Sequence, residues 1–213
     1  MTNATGFKYI YFLNNALYIN VTNLCTNECV FCIKNLSESV SGVNLKLEDE
    51  YIEPKDIIKE IQSANLDTCS EIVFCGYGEP FIKLDLVKEV AGFIKKNYPQ
   101  IPVRINTNGH GNLIWKRNVV PELVGLIDSV SVSLNAENAE LYAEIARSKF
   151  KPDKAFDAVK DFVSQCVKNN IKTTVSIVKG YENFTPDENK CREIAEELGA
   201  DFRIREWLSE GYA

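Results

Sequence analysis

Three cysteines stand close together in the first part of the chain. Cys25, Cys29 and Cys32 form a C-x3-C-x2-C triplet within eight residues. Cubane iron–sulfur clusters are held by cysteine thiolates and take four ligands. Three thiolates on one loop can reach three corners of a [4Fe–4S] cube, and no fourth cysteine follows at a matching spacing. The triplet therefore predicts a reactive cluster that keeps one iron open for a ligand from outside the protein.

The spacing alone leaves other interpretations of the triplet open. A structural zinc site usually takes four Cys or His ligands, and the only histidine, His110, is far away in sequence. A disulfide framework is typical of small secreted chains and fits poorly with an odd count of seven cysteines. A chance grouping is the weakest interpretation. We interpret the scattered cysteines as packing residues: Cys69, Cys75, Cys166 and Cys191.

Length and composition indicate an ordinary globular chain. Its 213 residues, 45% hydrophobic and 25% charged, suit one sizeable core, and we assign 1–213 to a single domain. A net charge of -6 disfavours a broad nucleic-acid-binding face. The sequence has no transmembrane run and no signal pattern at its amino terminus. We therefore expect no membrane association and a cytoplasmic location, where unpaired cysteines stay reduced.

Strand and helix patterns alternate along the chain. An opening β-hairpin turns at Asn14-Asn15, and its second strand begins six β/α units. Repeated units of this kind predict a parallel sheet with right-handed crossovers, and six fall short of the eight of a full barrel. The sequence thus predicts an α/β fold, an open partial (β/α)6 barrel. Its strands are expected at 16–21, 71–75, 103–107, 129–134, 171–178 and 201–206. Residues 34–52 are polar and form either an excursion or lid, or a solvated loop.

Three of the predicted strands alternate apolar and polar residues. Parallel strands that are buried on both faces normally read as continuous apolar runs. If the apolar face packs against the helices, the polar face lines the interior and suits a polar ligand. A sheet with one solvent-facing side is the alternative. The polar positions are Arg104, Asn106, Asn108, Ser131, Ser133, Asn135, Arg203 and Arg205.

A second motif follows the strand at 71–75. In Gly76-Tyr77-Gly78-Glu79-Pro80 the glycines permit close backbone approach and positive φ, and the proline fixes the exit. The turn lies at the carboxyl end of a strand, where α/β folds bind ligands. Together with the triplet, it resembles the radical SAM superfamily. Phe31 stands at that family's usual aromatic position before the third cysteine, and Tyr77 replaces the first glycine of its G-G-E-P motif.

The resemblance implies a set of site residues. Cys25, Cys29 and Cys32 would hold the cluster. At the strand ends Thr107-Asn108-Gly109 and Ser133-Leu134-Asn135, the residues Asn108, Ser133 and Asn135 would contact the ribose or carboxylate of S-adenosylmethionine (SAM). Leu208 is a further expected neighbour of adenine. Within the family, residues 17–27, 76–80 and 106–112 resemble the small TatD-associated radical SAM proteins. The expected SAM contacts are Phe31, Tyr77, Gly78, Glu79, Asn108, Ser133, Asn135, Ile177, Val178 and Arg205.

The resemblance also implies a reaction and partners. A reduced cluster would cleave SAM to methionine and a 5′-deoxyadenosyl radical, which abstracts hydrogen from an unidentified substrate. A glycyl-radical-enzyme activating enzyme and a non-catalytic electron-transfer or redox-sensing protein are the alternatives. An external donor of the flavodoxin or ferredoxin type is expected, with a protein partner or a TatD-type hydrolase as a further association. His110 is either a proton carrier near pH 7 or incidental.

Overall fold

The computed structural model describes residues 7–35, 39–40 and 43–207. Leu208, expected beside adenine, lies outside these residues. The strands are β1 (Ile10–Leu13), β2 (Ala16–Ile19), β3 (Ser39–Val40), β4 (Val43–Asn44), β5 (Glu71–Phe74), β6 (Val103–Thr107), β7 (Ser129–Ser133), β8 (Lys172–Lys179) and β9 (Asp201–Glu206). The helices are α1 (Pro54–Ser63), α2 (Leu84–Asn97), α3 (Gly111–Trp115), α4 (Ala139–Ala146), α5 (Pro152–Lys168) and α6 (Glu188–Glu197).

Seven of these strands form one sheet in the order β1-β2-β5-β6-β7-β8-β9. The first pair is antiparallel, and each later strand pairs in parallel with the next one along the chain. In the described residues β1 and β9 stand at opposite edges, so the sheet is open. The predicted open partial (β/α)6 barrel with an opening hairpin is confirmed. Asn14 takes φ 51° in the hairpin turn, a conformation that asparagine tolerates better than most residues.

Amphipathic helices cover the sheet and bury its apolar face. The long helix α5 contributes Phe156, Val159, Phe162 and Cys166 to the main core. Cys166 and Cys191 are fully buried, as the packing interpretation expects. None of the helices in the described ranges is both long and apolar enough to cross a bilayer.

The segment after β4 braces the end of β2. Leu45 and Leu47 are buried. The Glu50 carboxylate accepts hydrogen bonds from Thr22 Oγ1 at 2.6 Å and from the Asn23 backbone N–H at 2.8 Å. Residues 43–52 therefore hold the junction between strand and cysteine loop. A simply solvated loop is wrong for this part, because its two leucines are buried. The excursion fits β3 and β4, which form a two-stranded sheet of their own, and a lid stays a prediction.

Candidate functional site

A cavity of about 170 Å³ opens at the carboxyl end of the parallel strands. Its walls come from the cysteine loop after β2, the turn after β5, and the ends of β6, β7 and β9. The carboxyl ends of parallel strands lie side by side at the same end of the sheet, so segments about 180 residues apart in sequence meet here. The lining residues are Cys25, Cys29, Phe31, Cys32, Ile33, Cys75, Gly76, Gly78, Glu79, Asn106, Thr107, Asn108, Ser133 and Arg205.

Backbone hydrogen bonds fix the cysteine loop against the end of α4. The N–H groups of Glu28 and Val30 donate to the carbonyls of Ala146 and Ile145 at 2.9 and 3.0 Å. The backbone N–H of Asn27 points to Cys25 Sγ at 3.4 Å. The loop is therefore shaped by the protein around its sulfur atoms, and it does not depend on a bound group for all of its contacts.

The three thiols suit a cluster better than a single ion. Cys25, Cys29 and Cys32 are free and line one cavity. In the part of the chain that the structure describes, no three Cys, His, Asp or Glu side chains converge as ligands of one metal ion. A mononuclear zinc site requires such convergence, whereas each cysteine of a cubane bonds a different iron. The donor set therefore fits the predicted [4Fe–4S] cluster.

Burial controls the charge of two of these thiols. Burial, with a smaller contribution from Glu79, raises the pKa of Cys25 to about 11, and burial, with smaller contributions from the other two cysteines, raises that of Cys29 to about 12. Both sulfurs are thus protonated at neutral pH in the metal-free chain. Because iron binds thiolates, loading a cluster must release these protons and replace their charge with that of the metal.

The turn after β5 lies in direct contact with the cysteine loop. The Glu79 N–H donates to the Leu24 carbonyl at 2.8 Å. A Cβ built on Gly78 would lie 2.4 Å from the carbonyl oxygens of both Leu24 and Thr22, and one built on Gly76 would lie 2.1 Å from Asn20 Oδ1. Close approach is therefore the reason for both glycines. Neither takes the positive φ that the sequence also suggested.

Glu79 ties this turn to the end of β6. Its Oε1 accepts hydrogen bonds from Phe81 N–H at 3.1 Å and Thr107 Oγ1 at 2.8 Å, and its Oε2 accepts from Asn108 N–H at 2.7 Å. Burial raises the pKa of Glu79 to about 7, although these three donors favour the charged form. The carboxylate anchors two walls of the cavity to each other.

Nine of the thirteen predicted site residues line the cavity. Six of them are the three cysteines, Phe31, Gly78 and Glu79. The other three are Asn108, Ser133 and Arg205. Arg205 Nη2 donates to Ser133 Oγ at 3.4 Å, so the ends of β7 and β9 are joined at the wall. The structure thus brings the predicted metal ligands and most of the predicted SAM contacts together.

The side chains of the other four predicted residues do not reach the cavity. Tyr77 packs in a satellite cluster with Tyr11 and Tyr18, away from the glycines on either side of it. Ile177 belongs to the main core. Contact between either residue and SAM stays a prediction that only backbone atoms can satisfy.

Asn135 and Val178 support the wall from behind. Asn135 takes a left-handed conformation, φ 60°, and its Oδ1 accepts the Val178 N–H at 3.1 Å. Val178 in turn packs against Phe31 and Ile145. Both residues therefore hold the ends of β7 and β8 together.

Five cavity residues were not among the predicted site residues. Ile33, Gly76 and Thr107 are neighbours of predicted positions. Asn106 was predicted only as a polar residue of the interior. Cys75 packs against the cluster that contains Val73 and Tyr77, as the packing interpretation expects, and it also lines the cavity. Burial raises the pKa of its thiol, while a hydrogen bond with Asn106 and the nearby arginines lower it. Its position two residues after Val73 on the inner face was the available signal.

His110 is neither a proton carrier in the cavity nor incidental. It is fully buried and does not line the cavity. Burial lowers its pKa to about 4, so the ring is neutral at pH 7. Its Nδ1 lies 3.0 Å from Thr26 Oγ1, and its Nε2 lies 3.1 Å from the Tyr142 hydroxyl. It is part of a buried polar network behind the cysteine loop.

Comparison with known proteins identifies the family of this site. The radical SAM superfamily model matches residues 19–194. No curated protein sequence matches the chain. Similar solved structures include TYW1 with a lysine-pyruvate adduct (15% identity, TM-score 0.63), methylornithine synthase PylB (12%, 0.61), and Streptococcus suis SuiB bound to the precursor peptide SuiA (19%, 0.60).

These structures share the fold of the chain and are longer than it. The matches cover 91%, 90% and 89% of this chain, but only 65%, 52% and 38% of TYW1, PylB and SuiB. At identities below 20% such similarity shows the common architecture alone. The chain spans less than two thirds of the length of each of these proteins.

Proposed function

The chain belongs to the radical SAM superfamily, and we propose that it is an enzyme that binds a [4Fe–4S] cluster through Cys25, Cys29 and Cys32 and cleaves SAM reductively. When bound, the cluster supplies the electron that splits SAM into methionine and a 5′-deoxyadenosyl radical, which abstracts hydrogen from substrate. One observation carries the proposal. The three thiols and the turn at Gly78 and Glu79 line the same cavity.

The cavity walls offer matching groups for the parts of SAM. Backbone atoms of Gly76 and Gly78 stand beside the cysteine loop, where we place the methionyl amino group. Ser133 and Arg205 provide a hydroxyl and a cation for the carboxylate. Phe31 adds an apolar wall for the adenine, and its ring meets Tyr181 edge-on at 6.3 Å.

An electron-transfer or redox-sensing protein is the alternative of a different class. Such a protein needs neither a cavity beside its cluster nor a turn pressed against the cluster loop. A glycyl-radical-enzyme activating enzyme would use this same site on a protein substrate. SAM binding separates the first alternative from the proposal, because a carrier has no use for SAM.

Partners and setting extend the proposal. One cluster that acts on SAM needs an external reductant, for which a flavodoxin or ferredoxin fits. Association with a TatD-type hydrolase, like the TatD-associated subgroup itself, is supported by the resembling sequence stretches alone. We also propose a single domain over 1–213 and a cytoplasmic setting, where cysteines remain reduced.

The test uses anaerobically reconstituted protein, SAM and dithionite, with 5′-deoxyadenosine as the product measured. Cys29→Ala should abolish the product. Cys69→Ala is the matched control and should retain it, because the Cys69 thiol lies outside the cavity and donates to the Glu71 carbonyl. SAM binding is measured in parallel by equilibrium dialysis. Absence of both SAM binding and 5′-deoxyadenosine from a protein with about four irons per chain would refute the enzyme and favour the carrier.

A further inference from the structure

Behind the cysteine loop lies a network of buried polar side chains. Asn108 Nδ2 lies 2.8 Å from Thr26 Oγ1 and 3.7 Å from Cys25 Sγ. Thr26 Oγ1 lies 3.0 Å from His110 Nδ1, and His110 Nε2 lies 3.3 Å from the Ala155 carbonyl oxygen. Each of these side chains except the cysteine is at least nine-tenths buried. Buried polar groups of this kind stay in place because water offers no competing partner.

Partner chemistry orders the hydrogen bonds of this network. Two groups lie near His110 Nε2: the Ala155 carbonyl, which can only accept, and the Tyr142 hydroxyl at 3.1 Å, which can accept or donate. We assign the proton of the neutral imidazole to Nε2, where both groups can accept it, and Nδ1 is then an acceptor. Thr26 then donates its hydroxyl hydrogen to Nδ1 and accepts from the Asn108 amide. One chain of hydrogen bonds therefore runs from the Asn108 amide through Thr26 to the histidine, and the same amide also faces the Cys25 sulfur.

The Asn108 amide is held in one orientation by this arrangement. Its Oδ1 accepts the His110 backbone N–H at 3.0 Å, so Nδ2 faces Thr26 and the Cys25 sulfur. Turning the amide over would bring its oxygen next to the sulfur and its NH2 group against the backbone donor. The Asn108 backbone is fixed separately by Glu79.

We propose that His110 is a positioning residue that, through Thr26, holds the Asn108 amide against the Cys25 sulfur and thereby sets the reduction potential of the cluster. This inference rests on the proposed function. A reduced cluster carries one more negative charge than an oxidised one, so an N–H group that points at a ligand sulfur stabilises the reduced state more. The network therefore makes the cluster easier to reduce.

The test is the midpoint potential of the reconstituted cluster, followed by EPR during a redox titration without SAM turnover. Thr26→Val removes the hydroxyl at nearly constant shape, and Thr26→Ser retains it. We expect Thr26→Val to lower the equilibrium constant for one-electron reduction about fivefold, the effect of one lost hydrogen bond, and Thr26→Ser to resemble the wild type. His110→Phe should act like Thr26→Val, and His110→Asn, which keeps an acceptor near the Nδ1 position, should restore part of the effect.

A double-mutant cycle separates this role from general damage to the loop. Asn108→Leu removes the amide, so Thr26→Val should add nothing further in that background. Iron content per chain is measured for every variant. A wild-type midpoint potential in Thr26→Val, or shifts in potential that add in the double variant, would overturn the inference. Neither result would affect the proposed function, which the loss of 5′-deoxyadenosine in Cys29→Ala tests separately. A wild-type chain that assembles no cluster would overturn the proposed function and this inference with it.

Discussion

Gly78→Ala is the substitution that probes the geometry of the site most directly. The new methyl group would lie 2.4 Å from two backbone oxygens, those of Thr22 and Leu24. The two nearest atoms belong to the backbone, and only the third, Thr22 Cγ2 at 2.8 Å, belongs to a side chain, so no rotamer change relieves the contact. The turn after β5 must move away from the cysteine loop.

The size of that movement follows from the contact distances. Reaching even 3.0 Å, the shortest separation that real Cβ atoms show, requires about 0.6 Å of displacement at each oxygen. The hydrogen bond from Glu79 N–H to the Leu24 carbonyl, now 2.8 Å, would then exceed the usual 3.2 Å limit. A misplacement of about 1 Å costs on the order of 100-fold in rate. We expect SAM cleavage to fall by about 10- to 100-fold.

The assay compares the initial rate of 5′-deoxyadenosine formation with SAM affinity and iron content. The cysteines keep their own loop contacts, so iron content should stay at about four per chain while the rate and SAM affinity fall. Gly92→Ala is the matched control. Gly92 lies within α2, and a Cβ there would meet only Leu126 Cδ2 at 3.9 Å.

Gly92→Ala should keep wild-type activity and gain about 0.5–1 kcal/mol in stability, because alanine loses less entropy than glycine in a helix. Wild-type SAM affinity and rate in Gly78→Ala would show that the turn does not contribute to SAM binding. Parallel losses of iron and rate would show that the turn supports the cluster loop alone.

Three further predictions concern stability, measured by urea unfolding of the metal-free chain. Folding raises the pKa of Glu79 to about 7. Its contribution to the free energy of unfolding is therefore full below about pH 4.5 and is lost as the pH rises through 7. Glu79→Gln should remove this pH dependence and cost about 1–3 kcal/mol, because one buried backbone N–H loses its acceptor; unchanged pH dependence would contradict the assignment. Arg104 lowers the pKa of Glu71 through a bidentate ion pair. The pair therefore stabilises the folded chain above about pH 4.5, and this stabilisation is lost as the pH falls through the lowered pKa. Arg104→Met should flatten the acid side of the profile, and an unaltered acid limb would argue against the pair. Asn14 has a left-handed backbone conformation in the hairpin turn, so Asn14→Ala should lower the free energy of unfolding by about 1 kcal/mol and Asn14→Gly should leave it unchanged. Equal stabilities of the two variants would refute backbone strain at this position.

The motifs that meet at the cavity were predictable because they depend on local sequence. The C-x3-C-x2-C spacing sets how the sulfurs are distributed along one loop. The alternation in β6 and β7 predicted which positions face the interior, and Asn106 and Ser133 do line the cavity. The order of β/α units predicted the order of the sheet, because parallel strands joined by short right-handed crossovers become neighbours.

Continuous apolar stretches do not indicate which side chains face the interior. In β8, Ile177 and Val178 are both apolar and both buried, so period-2 patterning does not tell which one faces inward. The structure pairs Val178 with Arg205, a cavity residue, and yet packs its side chain beneath Phe31. Contact between two distant segments decided that outcome.

The sequence by itself determined the chemistry that the chain carries: three thiol ligands on one loop, a glycine turn one unit later, and an open barrel to bring them together. These follow from spacing and periodicity, which are properties of neighbouring residues. Only the tertiary structure decided that Tyr77 points away from the cavity and that His110 reaches the cysteine loop from behind through Thr26. Those outcomes depend on packing between segments tens of residues apart, where steric fit and the pairing of buried polar groups select one arrangement.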